Sequence, residues 1–331
     1  MNGPSPPLFT ILLPIHRPPS MLPYAITSVL GQTRPDFELF VICDGAPPES
    51  AACAQAFAVK DARVQLFVHP KGQRSGELYR DQALQSAHGR YVCQIADDDL
   101  WFPNHLEEMA LLLDHADFGN LLQANVGRDG MISCTLGDLA REETRHAMLT
   151  QPMNFFGPTV AGYRLETYRR LLVGWSPAPV DLWPDLFMWR KFLSLPGIVC
   201  ATRFSFTALH LAASHRPGMS DQDRAEENRQ TLAAIQNPPR RDAINQTIMQ
   251  HLVLRAQLTQ RTVRHLARIG GSAALAEELE ENDQVLLAEL QRIKQDLASE
   301  SALRKEAKRQ SRKPKAMRRL LRWVTGSTNQ A

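Results

Sequence analysis

Long apolar runs are missing from this 331-residue sequence: no stretch approaches the ~20 residues that a bilayer-crossing helix requires. The protein is therefore expected to be soluble or peripheral. The short apolar run at Leu8–Ile15 has no basic region before it, so no signal peptide is expected. Cysteine is scarce and unpatterned. The five residues Cys43, Cys53, Cys93, Cys134 and Cys200 form no Cys-x-x-Cys pair. An odd, scattered set reads as reduced thiols in a cytoplasmic protein. Internal repeats are also absent.

Charge of one sign is lacking overall, with a net value of +3, but its distribution is uneven. Ten Lys/Arg and one Glu fall between Arg304 and Arg322, whereas the rest of the chain holds 28 basic and 34 acidic side chains. A mildly acidic body with a basic tail points to an acidic partner for that tail, a membrane surface or nucleic acid. The 44% apolar content is enough for a core, and the length fits one large or two modest domains.

Residues 8–125 alternate strand and helix patterns. Strands are predicted at Phe9–Leu13, Phe37–Cys43, Val64–Val68, Tyr91–Ile95 and Leu121–Val126. Helices are predicted at Met21–Leu30 with Ser20 as cap, Glu49–Val59, Gly76–Ala87 and Leu106–Leu113. Near-continuous apolar strands separated by helices predict an α/β fold, a mostly parallel sheet covered on both faces. Residues 150–215 are less regular, with strands expected at Val160–Tyr163 and Phe204–Leu209 and helices at Glu166–Leu172 and Leu186–Leu193. From Arg224 the chain turns to polar helix. Leu279, Leu286 and Ile293, with Leu290 and Leu297, form a heptad seam about three heptads long.

One feature outweighs the rest. Asp97-Asp98-Asp99 follows the apolar segment Tyr91–Ile95. Adjacent carboxylates repel and raise one another's pKa unless a cation neutralises them. A hard divalent ion held through oxygen is the simplest remedy, and Mg²⁺ typically takes one or two protein carboxylates plus substrate phosphates. The triplet alone also reads as a solvated acidic turn before a helix near Pro103. However, ligands of such sheets bind beyond the carboxyl ends of the strands. Pro14-Ile15-His16, Asp44-Gly45 and the triplet all fall there.

With these landmarks in order, the chain resembles a family 2 glycosyltransferase of the GT-A fold. The landmarks are Pro14-Ile15-His16-Arg17-Pro18, Ser28-Val29-Leu30-Gly31-Gln32-Thr33 through Cys43-Asp44-Gly45, Gly76–Leu84, and His88-Gly89-Arg90-Tyr91 leading to the Asp-x-Asp and Leu100–Glu107. The likeness covers about 8–215 and is dense over 8–110. The resemblance implies a GT-A-like sheet, a UDP- or dTDP-sugar donor, and Mg²⁺ or Mn²⁺. Asp44 would accept the N3–H of uracil or thymine, and His16, beside Pro14, would pack against the base. Asp97 and Asp98 would contact the donor. Asp99 would hold the metal, with Asp97 reaching it through water. Arg80, together with Arg74, would add positive charge at the phosphates. The family's Asp-Asp-Gly is Cys43-Asp44-Gly45 here.

An inverting transfer needs a carboxylate to take the acceptor proton. The resemblance, which also implies inversion, places this base at Asp185, with Asp181 the alternative. A turn or cap at the start of the next helix is the competing role for Asp185. His210 is a candidate metal or phosphate ligand, with His215 behind it, and Trp183 and Trp189 are candidate platforms for a sugar ring or core residues. The organisation expected is a transferase domain over 1–222, split into a nucleotide-sugar half (1–125) and an acceptor half (126–222). A helical extension (223–303) and a basic tail (304–331) follow. The function expected is metal-dependent inverting transfer to a glycan or lipid-linked acceptor, in bacterial envelope polysaccharide synthesis. The enzyme would be cytoplasmic, held peripherally at the inner face of the plasma membrane by its tail. The helical tail would serve a homodimer, and no specific nucleic acid is expected. The alternative is a noncatalytic scaffold of the same fold that binds a partner through its tail. A sugar-nucleotide pyrophosphorylase would need a glycine-rich loop where Pro14–Pro18 stands.

Overall fold

The computed structural model describes residues 6–127 and 132–268. The heptad seam and the basic tail lie outside the described residues. In chain order the elements are β1 (Phe9–Ile15), α1 (Leu22–Leu30), β2 (Phe37–Asp44), α2 (Pro48–Ala58), β3 (Val64–His69) and α3 (Glu77–Leu84). Next come β4 (Tyr91–Gln94), β5 (Leu100–Trp101), α4 (His105–Leu113), β6 (Phe118–Val126) and β7 (Ile132–Ser133). Then follow α5 (Glu142–Thr150), β8 (Ala161–Arg164), α6 (Leu165–Tyr168), α7 (Pro184–Leu193), β9 (Cys200–His210), α8 (Asp221–Gln236) and α9 (Pro238–Arg268). The chain divides into two units, Met1–Arg255 and Ala256–Ala331. The first holds the sheet; the described residues of the second are the C-terminal part of α9.

The sheet runs β3-β2-β1-β4-β8-β6-β9-β5, with β7 on β6. It is the α/β architecture expected. The first four strands are parallel, and the second half is mixed: β8 is antiparallel to both neighbours, β9 runs parallel to β6, and β5 is antiparallel to β9. All eight residues of β2 are buried, as befits a strand covered on both faces. β3 lies at the edge and is partly exposed.

Several polar side chains explain the packing around the sheet's amino edge, opposite the strand ends that carry Asp44 and the triplet. Buried Glu38 accepts from Thr10 Oγ1 (2.7 Å) and the His88 backbone N–H (2.7 Å), fixing the turn that feeds β4. A Cβ at Gly89 would lie 2.3 Å from the Thr10 nitrogen, so only glycine fits there. Gln32 donates to the Phe102 carbonyl (2.8 Å) and accepts from the Leu106 N–H (3.0 Å), clamping the segment after the acidic triplet onto α1. On the other side, Phe118, Phe156, Trp189 and Phe192 form one aromatic cluster. The Phe118 and Phe192 rings stack at 4.9 Å, which seats α7 against β6.

Some local expectations change. The N-cap of α1 is Met21, with no side-chain cap, so Ser20 does not cap it. β6 begins three residues before the predicted Leu121, and α6 ends at Tyr168 rather than Leu172. α8 is capped by Ser220, whose Oγ accepts from the Asp223 N–H (3.1 Å). Buried Arg216 ties this helix to the sheet by pairing with Glu227 and donating to the Val126 carbonyl (3.0 Å).

Candidate active site

Four parallel strands deliver their carboxyl ends to one edge, and the predicted donor residues lie along it. Asp44 closes β2 and is buried. Its carboxylate accepts from Lys71 Nζ and from the Gly72 N–H (2.6 Å). Glycines leave room for it. Gly76 has φ +68°, and a Cβ there would sit 2.6 Å from the Asp44 carboxyl carbon. Beside it Tyr79 stacks on His69 at 4.1 Å. Pro14 pairs with Ile42 within the sheet, and His16 is exposed just beyond β1.

The three carboxylates of the triplet face three different sets of partners. Both oxygens of Asp97 take up Arg17, at 2.7 and 2.8 Å. Asp98 meets Arg17 and Arg224 at 2.8 Å each, and its carbonyl accepts from Asn228 Nδ2 (3.1 Å). Asp99, only 1% exposed, accepts from the Thr159 hydroxyl, the Leu211 N–H (3.1 Å) and His210 Nδ1 (2.9 Å). The repulsion expected from the sequence is thus met inside the protein by two arginines and a histidine. Burial raises the Asp98 carboxyl pKa first, the neighbouring Asp99 charge adds to that, and Arg17 opposes it. For His210, burial pulls the pKa down, but the Asp99 and Asp98 charges outweigh it and the net shift is upward.

A divalent ion would be held by Asp99 and His210, which now bond each other at 2.9 Å; the carboxylate oxygen suits Mg²⁺ or Mn²⁺, whereas imidazole is the softer donor. Asp97 is turned to Arg17 instead. Among the described residues no group of three or more His, Cys, Asp or Glu forms a complete cage. The remaining coordination would fall to phosphate oxygens and water, as is usual for Mg²⁺.

Arg80 is a buried cation, not a helix-surface residue. It donates to the Ser75 carbonyl (3.0 Å) and lies 5.0 Å from the Trp175 ring centre, while Nε and Nη1 have no partner. Burial lowers its pKa; the charges of Glu77, Asp44 and Asp185 are among the influences that oppose this. Arg74, with φ 53°, reaches from the β3–α3 loop to the Pro179 and Leu182 carbonyls (3.2 Å each).

Asp185 stands in the first turn of α7, whose N-cap is Trp183, so Asp185 is not the cap. It accepts from the Leu186 N–H (2.8 Å) and Asn154 Nδ2 (2.9 Å), and burial raises its pKa. It lines a cleft of about 370 Å³ with Gln123, Asn125, Asn154 and Trp183. Trp183 is 54% exposed, whereas Trp189 is core. Asp181 is exposed in the preceding loop. His215 packs edge-on to His210 at 5.8 Å. Sequence reasoning missed Arg17, Lys71, Thr159, Arg224 and Asn228 as partners of the acids. Only Arg17, inside the Pro14–Pro18 landmark, stood near a signal.

Comparison with known proteins bears on the family alone. Residues 10–172 match the model of Glycosyl transferase family 2. An uncharacterized glycosyltransferase, EpsJ, of Bacillus subtilis is 30% identical over 93 residues, 28% of this chain and 26% of that protein. The putative colanic acid biosynthesis glycosyl transferase WcaA of Escherichia coli is 30% identical over 100 residues, 30% of this chain and 36% of that one. The chain matches well under half the length of such curated relatives, from 15% to 40%. Among solved structures, residues 1–349 of S. aureus TarS superpose with a TM-score of 0.49 at 16% identity, over 69% of this chain and 64% of that one. Over residues 10–172, just under half of its length, this chain is a member of glycosyl transferase family 2.

Proposed function

We propose that this chain transfers a sugar, with inversion, from a UDP- or dTDP-sugar to a hydroxyl of a glycan or lipid-linked acceptor in envelope polysaccharide synthesis. The observation that carries this reading is the row of acids along one sheet edge, Asp44 and Asp97–Asp99, with Asp185 on the wall of a cleft. Asp44 accepts the base N3–H, and Pro14 and His16 flank the base. Asp97 and Asp98, held by Arg17, border the ribose and diphosphate. Arg80 supplies a cation that cannot lose its charge. Asp99 and His210 would hold Mg²⁺ or Mn²⁺, which would supply positive charge for the diphosphate leaving group. Asp185 takes the proton of the attacking hydroxyl while the anomeric carbon–oxygen bond to phosphate breaks.

The proposed organisation is a transferase domain over 1–222 with donor (1–125) and acceptor (126–222) halves, a helical extension over 223–303, and a basic tail over 304–331. No helix of the described residues is long and apolar enough to cross a membrane. We assign the tail to an anionic membrane surface at the cytoplasmic face, where each Lys/Arg contributes about 1 kcal/mol, and the helical region to pairing with a second copy.

Ligand-observed NMR with UDP, dTDP, GDP and CMP, with and without Mn²⁺, tests the donor assignment. Metal-dependent binding of UDP or dTDP that is lost in Asp97→Ala/Asp99→Ala supports it; no nucleotide binding by folded protein refutes it. One observation favours a noncatalytic scaffold: protein donors already surround the Asp99 carboxylate. Nucleotide-sugar binding without transfer, together with wild-type function of Asp185→Asn, would establish that reading instead.

A further inference from the structure

We infer that the cleft beside Asp185 accepts an uncharged saccharide, its hydroxyls directed at Gln123, Asn154 and Asp185 and its ring against Trp183. This rests on the reading of Asp185 as the base of a glycosyl transfer. Two buried atoms of the cleft wall have no partner, Gln123 Oε1 and Asn154 Oδ1, and both are acceptors. Their amide nitrogens are already engaged. Gln123 Nε2 donates to Asn125 Oδ1 (3.2 Å) and Asn154 Nδ2 to Asp185 Oδ2 (2.9 Å). The cleft thus presents lone pairs and calls for a ligand rich in O–H donors. A buried acceptor left without a donor is costly, so the ligand gains by supplying one. Sugar hydroxyls do so. A phosphate or carboxylate brings acceptors only.

Charge points the same way. Among the described residues no Lys or Arg lines the cleft, and Asp185 is the one formal charge among those lining residues. An anionic acceptor would approach a carboxylate whose one charge influence of opposite sign, Arg80, is not a lining residue of the cleft. The exposed face of Trp183 offers an apolar plane for the C–H face of a pyranose ring. The volume of about 370 Å³ lies at the lower end of the range for small-molecule pockets, room for one or two sugar rings rather than a long polymer segment.

Saturation-transfer NMR on the full chain tests this, using methyl glycosides of glucose, galactose and N-acetylglucosamine, ribitol 5-phosphate, and UDP in separate samples. At least one methyl glycoside should bind at millimolar concentration, ribitol 5-phosphate should not, and Trp183→Ala should weaken glycoside binding by about fivefold or more with UDP binding unchanged. Gln123→Leu, whose volume is similar, should weaken it as well. Ribitol 5-phosphate binding that Trp183→Ala abolishes would overturn the inference. So would silence from every glycoside, or glycoside binding indifferent to both substitutions. Glycoside binding by a protein that ignores UDP would count against the transferase reading alone and still support a saccharide site.

Discussion

Replacing Arg224 with Met removes one of two cations from a buried carboxylate and keeps much of the volume. The Arg224 and Asp98 side chains are 6% and 8% exposed and meet at 2.8 Å. Breaking a buried pair by deleting one partner costs about 3–5 kcal/mol, because the remaining charge is stranded. Arg17 still faces Asp98 at 2.8 Å, so the expected loss is smaller, about 2–4 kcal/mol. For a unit of this size that corresponds to a fall in Tm of roughly 4–16 °C. Thermal and urea denaturation of Arg224→Met, Asp98→Asn and the double variant form a cycle that isolates the pair. The double variant should recover most of the loss, because an amide in place of the carboxylate leaves no charge to strand. A loss within ~0.5 kcal/mol for Arg224→Met, the range of an ordinary surface change, would refute the argument. An additive double variant would refute it equally.

Asp44→Asn should weaken UDP binding by tenfold or more, about 1.4 kcal/mol, measured by calorimetry, with wild-type specificity among bases lost. Gly76→Ala should destabilise by about 1–3 kcal/mol and also impair nucleotide binding, since the new Cβ would press on the Asp44 carboxyl group; melting together with UDP titration reads both effects. Asp185→Asn should lower turnover by about 100-fold or more while Tm stays level or rises. Burial raises the Asp185 pKa, so the native state holds its proton more tightly than the unfolded chain does. Its contribution to stability therefore grows as pH falls through that pKa, whereas activity falls over the same window, above the ~3.9 of a free aspartate. A pH–rate profile limited by an ordinary aspartate pKa would count against the base assignment.

The sheet's first half was legible because β1, β2 and β4 are buried on both faces and therefore read as nearly continuous apolar runs. β5 was not. It is two residues long and exists through pairing with β9, where Leu100 meets Leu209, a partner more than a hundred residues away. α5 escaped for another reason: only Met148 of its nine residues is buried, so it carries no apolar stripe. Asp44 and the triplet could be placed because strand ends in a parallel sheet share one edge. Their partners could not. Arg17 lies 80 residues from Asp97, and Arg224 lies 126 from Asp98. Nothing in local sequence distinguishes Arg224 from a solvated arginine, and Arg17 is marked only by its place inside the Pro14–Pro18 landmark.

The triplet's cost explains why α8 belongs to the candidate site. Three adjacent carboxylates buried at a strand end need positive charge, and the sheet's own edge supplies it through Arg17 to only two of them. Asp98 takes its second cation from α8, and Asp99 takes a histidine from the end of β9. Asn228, one turn beyond Arg224, holds the Asp98 carbonyl, so α8 fixes both the charge and the backbone of the segment. Both residues lie beyond 10–172, the span that matches the family. The acids therefore come from the shared family domain, while part of what neutralises and orients them comes from a helix outside it. A chain cut at residue 222 would keep every predicted donor acid and lose the second cation of Asp98. It should bind nucleotide less tightly than the full chain and melt lower, by about the 2–4 kcal/mol argued for Arg224 or more.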